Sequence, residues 1–150
     1  WQEHPTAGIT RGVVHDETAR ALGGVSGNAG LFATAADVAR FGEELRTGAR
    51  GVLRATTRSL MTHPATTIDS GLDYEQAAGT RIGGRGDFGR FGTGGFGHTG
   101  FTGTMLLVHP ERHLTLVILT NRVHPSRDWS DAGVFRRDVV ELFARETVRG

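Results

Sequence analysis

Apolar side chains recur with helical spacing in the first half of the chain. Val38, Phe41 and Leu45 stand at i, i+3 and i+7, which is the spacing of one helix face. We therefore expect a helix over residues 34–47, begun by a Thr N-cap and ended by a Gly. A shorter helix is predicted over residues 55–62, with the Leu and Met near its end facing inward.

The last helix is predicted over residues 131–148, with Asp131 or Ser130 as its N-cap and Trp129 as a packing anchor before it. The spacing assigns four residues to a buried apolar stripe, namely Phe135, Val139, Leu142 and Phe143. Five charged residues are expected to face water, namely Arg136, Arg137, Asp138, Glu141 and Arg145.

Continuous apolar runs predict the strands. His98–His109 and Leu114–Asn121 are predicted to be strands, joined by a tight hairpin turn over 110–113. Because residues 114–119 are rich in large aliphatic side chains on both faces, we expect this strand to be central in its sheet. A short strand is also predicted over 76–82, and loops are expected over 65–76, 83–97 and 124–130.

This order of elements suits an α/β fold in which a C-terminal helix covers an antiparallel sheet. At 150 residues the chain has the size of one domain or a large part of one. We expect three parts along it: a glycine-rich irregular lead-in over 1–33, a helical part over 34–64, and strands with the final helix over 76–150.

Composition narrows the function classes. The net charge is +1 and no Arg stripe is interleaved with aromatic residues, so a nucleic-acid partner has little support. No apolar run approaches the ~20 residues of a membrane span.

The absence of Cys excludes disulfides, thiol catalysis and Cys-bound zinc, and it leaves periplasmic, secreted and cytoplasmic locations open. All 17 basic residues are Arg, which with abundant Ala and Gly is typical of a GC-rich bacterial genome.

The strongest chemical signal is the run Gly97–Thr104, in which His98, Thr99 and Gly100 lead towards an apolar strand. A strand edge of this kind supplies a backbone N–H for a carbonyl oxygen, a hydroxyl for a substrate carboxylate, and a side chain for proton transfer. A Gly there lets a substrate approach the backbone closely. By itself, the triplet is more typical of an ordinary strand start with a capping His.

The surrounding stretches resemble the serine β-lactamase and penicillin-binding-protein superfamily, in its esterase-like branch. The third signature of that superfamily, K-T-G or H-T-G, matches residues 98–100. Further stretches that match in the same order are residues 14–17, 21–32, 34–41 and 119–125. The resemblance implies the β-lactamase/transpeptidase-like sandwich and hydrolysis of an ester, amide or β-lactam through an acyl-serine intermediate, with no metal or organic cofactor.

The resemblance also implies roles for single residues. His98, Thr99 and Gly100 become the third motif, and the backbone N–H of Phe101 becomes an oxyanion-hole donor. Thr99 and Asn28 are the candidate substrate contacts.

The nucleophile of the family is not found in this chain. The Ser-x-x-Lys motif is absent because the chain contains no Lys. We expect the second signature, Tyr-x-Asn or Ser-x-Asn, to be absent too, since Tyr74 is followed by Glu75 and Gln76. In the family both motifs precede the region matched here. The chain therefore resembles the C-terminal half of such an enzyme and is expected to be inactive alone.

Partners follow from this expectation. A half-sandwich leaves strand edges and apolar surface uncovered, so we expect pairing with the N-terminal half, with a copy of the chain, or with both. The expected ligand is a small-molecule or peptide substrate. Two other classes stay open: a non-catalytic module that binds peptide or cell-wall ligands, and a structural remnant produced by truncation.

Two weaker patterns are interpreted structurally. Residues 92–97 fit the nucleotide-loop pattern G-x-G-x-x-G, but they open a strand rather than a helix, so we expect a plain loop. His109, His113 and His124 lie near one another in the chain, as zinc ligands can. No acidic residue accompanies them at ligand spacing, and we expect no metal site.

Overall fold

A computed structural model describes residues 11–65 and 72–147. The chain divides into two compact units, Trp1–Thr34 and Ala35–Gly150. In the first unit a short helix, α1 (Glu17–Ala21), interrupts the glycine-rich segment. Asp16 begins this helix, because its carboxylate accepts the backbone N–H of Ala19 at 2.8 Å. The expectation of an irregular lead-in was therefore wrong at α1, and residues 1–10 lie outside the described part.

A five-stranded antiparallel sheet lies at the centre of the second unit. Its strands follow chain order across the sheet: β1 (Tyr74–Gln76), β2 (Arg81–Gly83), β3 (Phe96–Thr99), β4 (Met105–His109) and β5 (Leu114–Ile118). The helices are α2 (Ala35–Thr47), α3 (Ala55–Thr62), α4 (Arg85–Phe88) and α5 (Ala132–Thr147), and a 3-10 turn spans Gly89–Phe91. The predicted α/β class, an antiparallel sheet with a C-terminal helix, is confirmed.

The long helices lie where apolar spacing predicted them. Helix α2 ends where Gly48 takes φ +66° and its N–H bonds to the carbonyl of Glu44 at 2.8 Å. Asp131 caps α5, accepting the N–H of Gly133 at 2.7 Å. The tight 110–113 connection between β4 and β5 is also confirmed. Within the part of the chain that the structure describes, no helix has the length and apolar character needed to cross a bilayer.

Side chains of β4 alternate between two apolar clusters, which places helices on both faces of the sheet. Leu107 packs with Val140 of α5 on one face, and Val108 packs with Leu45 of α2 on the other. All four residues are fully or almost fully buried. Because successive strand residues point to opposite faces, the same alternation assigns each residue of β3 to one helix layer.

Two of the predicted strands are hairpins instead. The segment 98–109 contains the end of β3, a turn over residues 100–104, and β4. Gly103 in that turn takes φ +97°, which Gly adopts readily and a strand excludes. The segment 76–82 likewise turns at Gly79, with φ +82°, between β1 and β2. The apolar runs predicted the strands, whereas the turn glycines, Gly79 and Gly103, were misread as strand residues.

The predicted loops also contain regular structure. Residues 74–76 of the expected 65–76 loop form β1, while residues 66–71 lie outside the described part. The expected loop over 83–97 holds α4, the 3-10 turn and the start of β3. Expectation and structure agree for the 124–130 loop.

Strand β5 is at the edge of the described sheet, so the expectation that it is central was wrong. It pairs with β4, which is itself the most buried strand, with four of its five residues buried. Leu119, just after β5, is 42% exposed. Aliphatic content on both faces did not distinguish an edge strand from a central one.

Helix α5 buries only part of the predicted stripe, because Val139 and Phe143 pack against the core while the other two members do not. Phe135 and Leu142, expected inside, are half or more exposed, whereas Val140 is fully buried. Arg136, expected in water, is only 9% exposed. The buried face is built on small residues and on this Arg, which finds hydrogen-bond acceptors beneath the helix.

Two smaller packing expectations were also wrong. Trp129, expected to anchor the start of α5, is 75% exposed, and Leu60, expected to face inward from α3, is 60% exposed. Met61 does pack against the cluster that contains Leu45 and Val108.

Gly42 lies where α2 approaches the sheet most tightly, and we predict that Gly42→Ala destabilises the protein. Gly to Ala in a helix ordinarily stabilises by up to about 1 kcal/mol. Here the added Cβ would stand 2.6 Å from Cγ2 of Thr115 and 2.9 Å from Cδ1 of Leu106. Such overpacking costs about 1–3 kcal/mol, so the free energy of unfolding in urea should fall. Gly27→Ala, where no atom lies within 4 Å, is the control and should change it by less than about 0.5 kcal/mol. A Gly42→Ala protein as stable as the parent would contradict the packing described.

Glu43 connects α2 to β5, and we predict that it makes stability depend on acid pH. Its carboxylate is held by the Arg46 guanidinium at 2.6 Å and accepts the Thr115 hydroxyl at 2.6 Å. These hydrogen bonds lower the pKa of Glu43 to about 2 from 4.5. A lowered carboxyl pKa contributes stability that is present above pH 4.5 and is lost as the pH falls towards 2.

Urea denaturation at several pH values between 7 and 2 measures this effect. Glu43→Gln should be less stable than the parent at neutral pH and should lose less stability on acidification. Glu75→Gln removes an exposed carboxylate of β1 and serves as the control. Parallel pH curves for Glu43→Gln and the parent would be inconsistent with the lowered pKa.

Candidate functional site

The H-T-G triplet lies at the end of β3, where the hairpin to β4 begins. His98 pairs with Leu106 and Thr99 pairs with Met105 across the two strands. By strand alternation His98 belongs to the α2 face of the sheet and Thr99 to the α5 face. Gly97 just before them allows β3 to lie against β4, because a Cβ there would stand 1.9 Å from the carbonyl oxygen of Leu106.

The outer edge of β3 is open at this point. Strand β2 pairs with Phe96 and Gly97 of β3 and goes no further. Within the described residues, His98 and Thr99 are therefore paired by β4 alone. An interior strand thus becomes an edge strand for its last two residues, which are the ones that carry the motif.

His98 is exposed, and its hydrogen bond defines which ring nitrogen holds the proton. Its Nδ1 lies 2.7 Å from the carbonyl oxygen of Thr99. Because a carbonyl oxygen only accepts, Nδ1 is the donor, and Nε2 is the acceptor nitrogen of the neutral ring. The arrangement places an exposed imidazole at the open edge of β3.

The turn after Thr99 is closed by backbone hydrogen bonds. The N–H of Gly100 bonds to the carbonyl of Thr104 at 2.8 Å, and the N–H of Gly103 bonds to the carbonyl of Gly100 at 3.0 Å. The Thr120 hydroxyl donates to the carbonyl of Gly103 at 2.8 Å. Phe101, which carries the predicted oxyanion donor, is the second residue of this turn.

Arg122 fixes the outer side of the turn. Its Nε donates to the carbonyl of Phe101 at 2.8 Å, and its guanidinium stacks on the Phe101 ring at 4.4 Å from the centroid. Its Nη1 also donates to the carbonyls of Arg127 and Ser130, at 2.7 and 2.8 Å. The Arg122 side chain therefore links the loop before α5 to the turn by hydrogen bonds.

Three charged residues that sequence reasoning did not assign to the site lie under the turn. Arg136 Nη1 donates to the carbonyl of Gly100 at 3.1 Å and to that of Thr104 at 3.4 Å. Burial lowers the pKa of the Arg136 guanidinium, and the nearby Asp87 carboxylate opposes that shift. Ala132 and Val140 lie four residues before and after Arg136, on the same face of α5. Their apolar side chains are the sequence signal that could have placed Arg136 on the buried face.

Asp87 and Arg81 complete this group, which we call the cradle (Arg81, Asp87 and Arg136). Asp87 accepts from Arg81 Nη1 at 2.7 Å and lies 3.9 Å from Arg136 Nη2. The same Nη1 of Arg81 donates to the hydroxyl of Thr99 at 3.4 Å. The cradle therefore contacts the side chain before the turn and the carbonyls at both of its ends.

Asn28 belongs to the first unit, where its side chain has local partners. Its amide donates to Asp16 at 3.1 Å, and its carbonyl oxygen accepts the Ser26 hydroxyl. The expectation that no Ser-x-Asn triplet is present was wrong, because Ser26-Gly27-Asn28 has that spacing. A substrate contact by Asn28 stays a prediction.

The histidines considered for metal binding are arranged differently from a ligand set. His109 is buried and uses both ring nitrogens, since Nε2 donates to the carbonyl of Thr93 at 3.0 Å and Nδ1 accepts the N–H of Arg112 at 3.3 Å. Over residues 11–65 and 72–147, no group of three His, Asp or Glu side chains is placed to hold a metal ion.

A separate open groove of about 470 Å³ lies towards the other end of β4. It is lined by Arg85, Gly89, Arg90, Arg112 and Glu141. Glu141 already pairs with Arg90 at 3.0 Å. None of the lining residues belongs to the motif.

Comparisons with known proteins agree with the resemblance. The family model described as Beta-lactamase matches residues 2–141. A curated protein of Escherichia coli (strain K12), described as "Putative D-alanyl-D-alanine carboxypeptidase", is 36% identical over 119 residues, which cover 75% of this chain and 27% of that protein. Relatives of the same description from Salmonella agona and Salmonella typhi have the same identity and coverage. The chain spans about a quarter of the length of these curated relatives, and no solved structure matches it significantly.

We predict that Gly100 is required because of the side chain of Thr104. A Cβ on Gly100 would stand 2.2 Å from Oγ1 of Thr104. Gly100→Ala should therefore lower the free energy of unfolding by about 1–3 kcal/mol. Thr104→Ala removes the obstructing hydroxyl, so the double variant should recover most of that loss, as measured by urea denaturation in a double-mutant cycle. Additive effects of the two substitutions would show that the clash does not limit the turn.

Proposed function

Because this chain belongs to the Beta-lactamase family of serine hydrolases, we propose that residues 98–101 form one wall of an acyl-transfer site. The observation that carries the proposal is the open edge of β3 at His98 and Thr99, next to a turn held from both sides. A substrate carbonyl can reach a backbone edge of this kind, whereas a fully paired strand would exclude it.

Each residue of the wall has one proposed role. The N–H of Phe101 donates to the carbonyl oxygen that becomes negative in the tetrahedral intermediate. The Thr99 hydroxyl binds a carboxylate or carbonyl of the substrate. His98, exposed with an acceptor Nε2, assists proton transfer to or from the leaving group. Asn28, in the first unit, is a separate candidate for binding substrate and is not assigned to this wall.

The reaction itself needs a serine that this sequence does not place beside a Lys. We propose that the nucleophile is supplied by a segment that is not part of these 150 residues. Its Oγ would bond to the substrate carbonyl carbon while the bond to the leaving group breaks, and water would then release the acid and restore the serine. Alone, the chain is proposed to be inactive.

Exposed apolar surface in the second unit supports such a partner. Strand β5 ends the described sheet, and Leu119 next to it is exposed. On α5, Phe135 and Leu142 are also exposed. An uncovered strand edge beside apolar side chains is the kind of surface that a further strand or helix covers.

The proposed substrate class is an ester, amide or β-lactam. Because the relatives are described as "Putative D-alanyl-D-alanine carboxypeptidase", a peptide that ends in a free carboxylate is the first amide to test. The absence of a Ser-x-x-Lys motif favours one alternative, a module that binds such a peptide without cleaving it.

A chimaera tests the proposal. The matched region of the Escherichia coli relative is replaced by the corresponding residues of this chain, and hydrolysis of a D-alanyl-D-alanine peptide and a p-nitrophenyl ester is measured. We expect turnover by the chimaera and none by the 150-residue chain. In the chimaera, His98→Ala should lower kcat/KM by about 100-fold or more, and Thr99→Val should lower it by about 10–100-fold.

Controls separate loss of function from loss of folding. His63→Ala removes an exposed histidine at the end of α3 and should leave kcat/KM unchanged. Cooperative thermal unfolding shows that each chimaera is folded. A folded but inactive chimaera, together with peptide binding by the chain alone, would establish the binding module instead. A covalent serine adduct on the chain alone would also refute the proposal.

A further inference from the structure

We propose that the cradle (Arg81, Asp87 and Arg136) aims the backbone N–H of Phe101, and that its members are positioning residues for acyl transfer. This inference rests on the proposed function, because it concerns how the oxyanion donor of that site is oriented.

The argument begins with one peptide plane. The N–H of Phe101 and the carbonyl of Gly100 belong to the same peptide unit, which is planar and trans, so they point in opposite directions. Arg136 Nη1 donates to the Gly100 oxygen at 3.1 Å from inside the protein. Holding that oxygen towards α5 directs the Phe101 N–H to the other side of the plane. A charged donor on the carbonyl also polarises the unit and makes its N–H a stronger donor.

A second hydrogen bond from Arg136 prevents the turn from rotating about the bond to the Gly100 carbonyl. The same Nη1 lies 3.4 Å from the carbonyl oxygen of Thr104, which accepts the Gly100 N–H at 2.8 Å. The guanidinium thus touches both ends of the turn. A planar guanidinium with several donors can do this, whereas a Lys ammonium is a single point charge on a flexible chain.

Asp87 couples this peptide plane to Thr99. It lies between the two guanidiniums, 2.7 Å from Arg81 and 3.9 Å from Arg136, and reduces their repulsion. Arg81 in turn contacts the Thr99 hydroxyl at 3.4 Å. The cradle therefore fixes the positions of two groups that the proposed substrate would touch, the hydroxyl of Thr99 and the N–H of Phe101, relative to each other.

The cradle is poorly arranged for stability, which favours a positioning role. Two cations surround one carboxylate, and within the described residues the Nε atoms of Arg81 and Arg136 are buried without a hydrogen-bond partner. Buried donors that lack acceptors cost free energy, and replacing buried ionic groups with apolar ones is often neutral or stabilising. An orientation effect should therefore be measurable separately from stability.

Amide hydrogen exchange in the 150-residue chain tests the orientation without any enzyme assay. In Arg136→Met the amides of Gly100 and Gly103, which are hydrogen-bonded within the turn, should exchange about tenfold or more faster, because the charge-assisted hydrogen bond that holds the turn is lost. The amide of Leu107 in β4 should be unchanged. Arg137→Met, the exposed neighbour on α5, is the matched control and should leave the turn amides unchanged.

Kinetics of the chimaera test the consequence for catalysis. An oxyanion donor acts in the transition state more than in the ground state. Arg136→Met should therefore lower kcat by about 10–100-fold and change KM by less than about threefold. Arg136→Lys should recover part of kcat, and Arg137→Met should match the parent.

The outcomes distinguish the two proposals. Turn amides that exchange equally in folded Arg136→Met and in the parent would overturn the cradle's role, whatever the activity. If Arg136→Met does not fold, Arg136→Lys decides, because exchange at the parental rate would overturn the role and faster exchange would support it. An inactive parent chimaera would count against the proposed function, while the exchange result would still decide the orientation.

Discussion

The hydrogen bond from the buried guanidinium of Arg136 to the carbonyl of Gly100 is the constraint on which the described site depends. It determines which way one peptide plane faces, and that plane carries the N–H of Phe101. The guanidinium can be buried because it has carbonyl acceptors and a carboxylate, Asp87, nearby. Without these partners α5 could not present an Arg to the sheet, and the turn would rely on its own backbone hydrogen bonds.

The rest of the site follows from the geometry of the sheet. Gly97 lets β3 lie close to β4, and strand alternation then sends His98 towards the α2 layer and Thr99 towards the α5 layer. Because the pairing of β3 with β2 ends at Gly97, the last two residues of β3 have an open edge. The motif is thus presented at an edge, with its polar groups on different sides of one strand, and a second surface is needed to make a closed pocket.

Much of this could be predicted from the sequence where the relevant interactions are local. Helix α2 follows from its apolar spacing and a terminating glycine, both within a few residues, and α3 lies over the residues predicted for it. The H-T-G triplet is recognisable because it is contiguous. The β1–β2 and β3–β4 hairpins were missed because a glycine with a positive φ, such as Gly103, has the same letter as a glycine in a strand. The edge position of β5 was missed because strand order depends on partners elsewhere in the chain.

By itself, the sequence determined the positions of α2, α3 and α5 and the apolar runs that form β4 and β5. It also determined that His98, Thr99, Gly100 and Phe101 are adjacent and that no Lys is available for a Ser-x-x-Lys motif. Tertiary structure alone decided which face of α5 is buried. Periodicity shows which residues share a helix face, but burial of a charge is favourable only where acceptors exist. For Arg136 those acceptors are the carbonyls of Gly100 and Thr104, which lie 36 and 32 residues away in the chain and are brought near by the packing of α5 on the sheet.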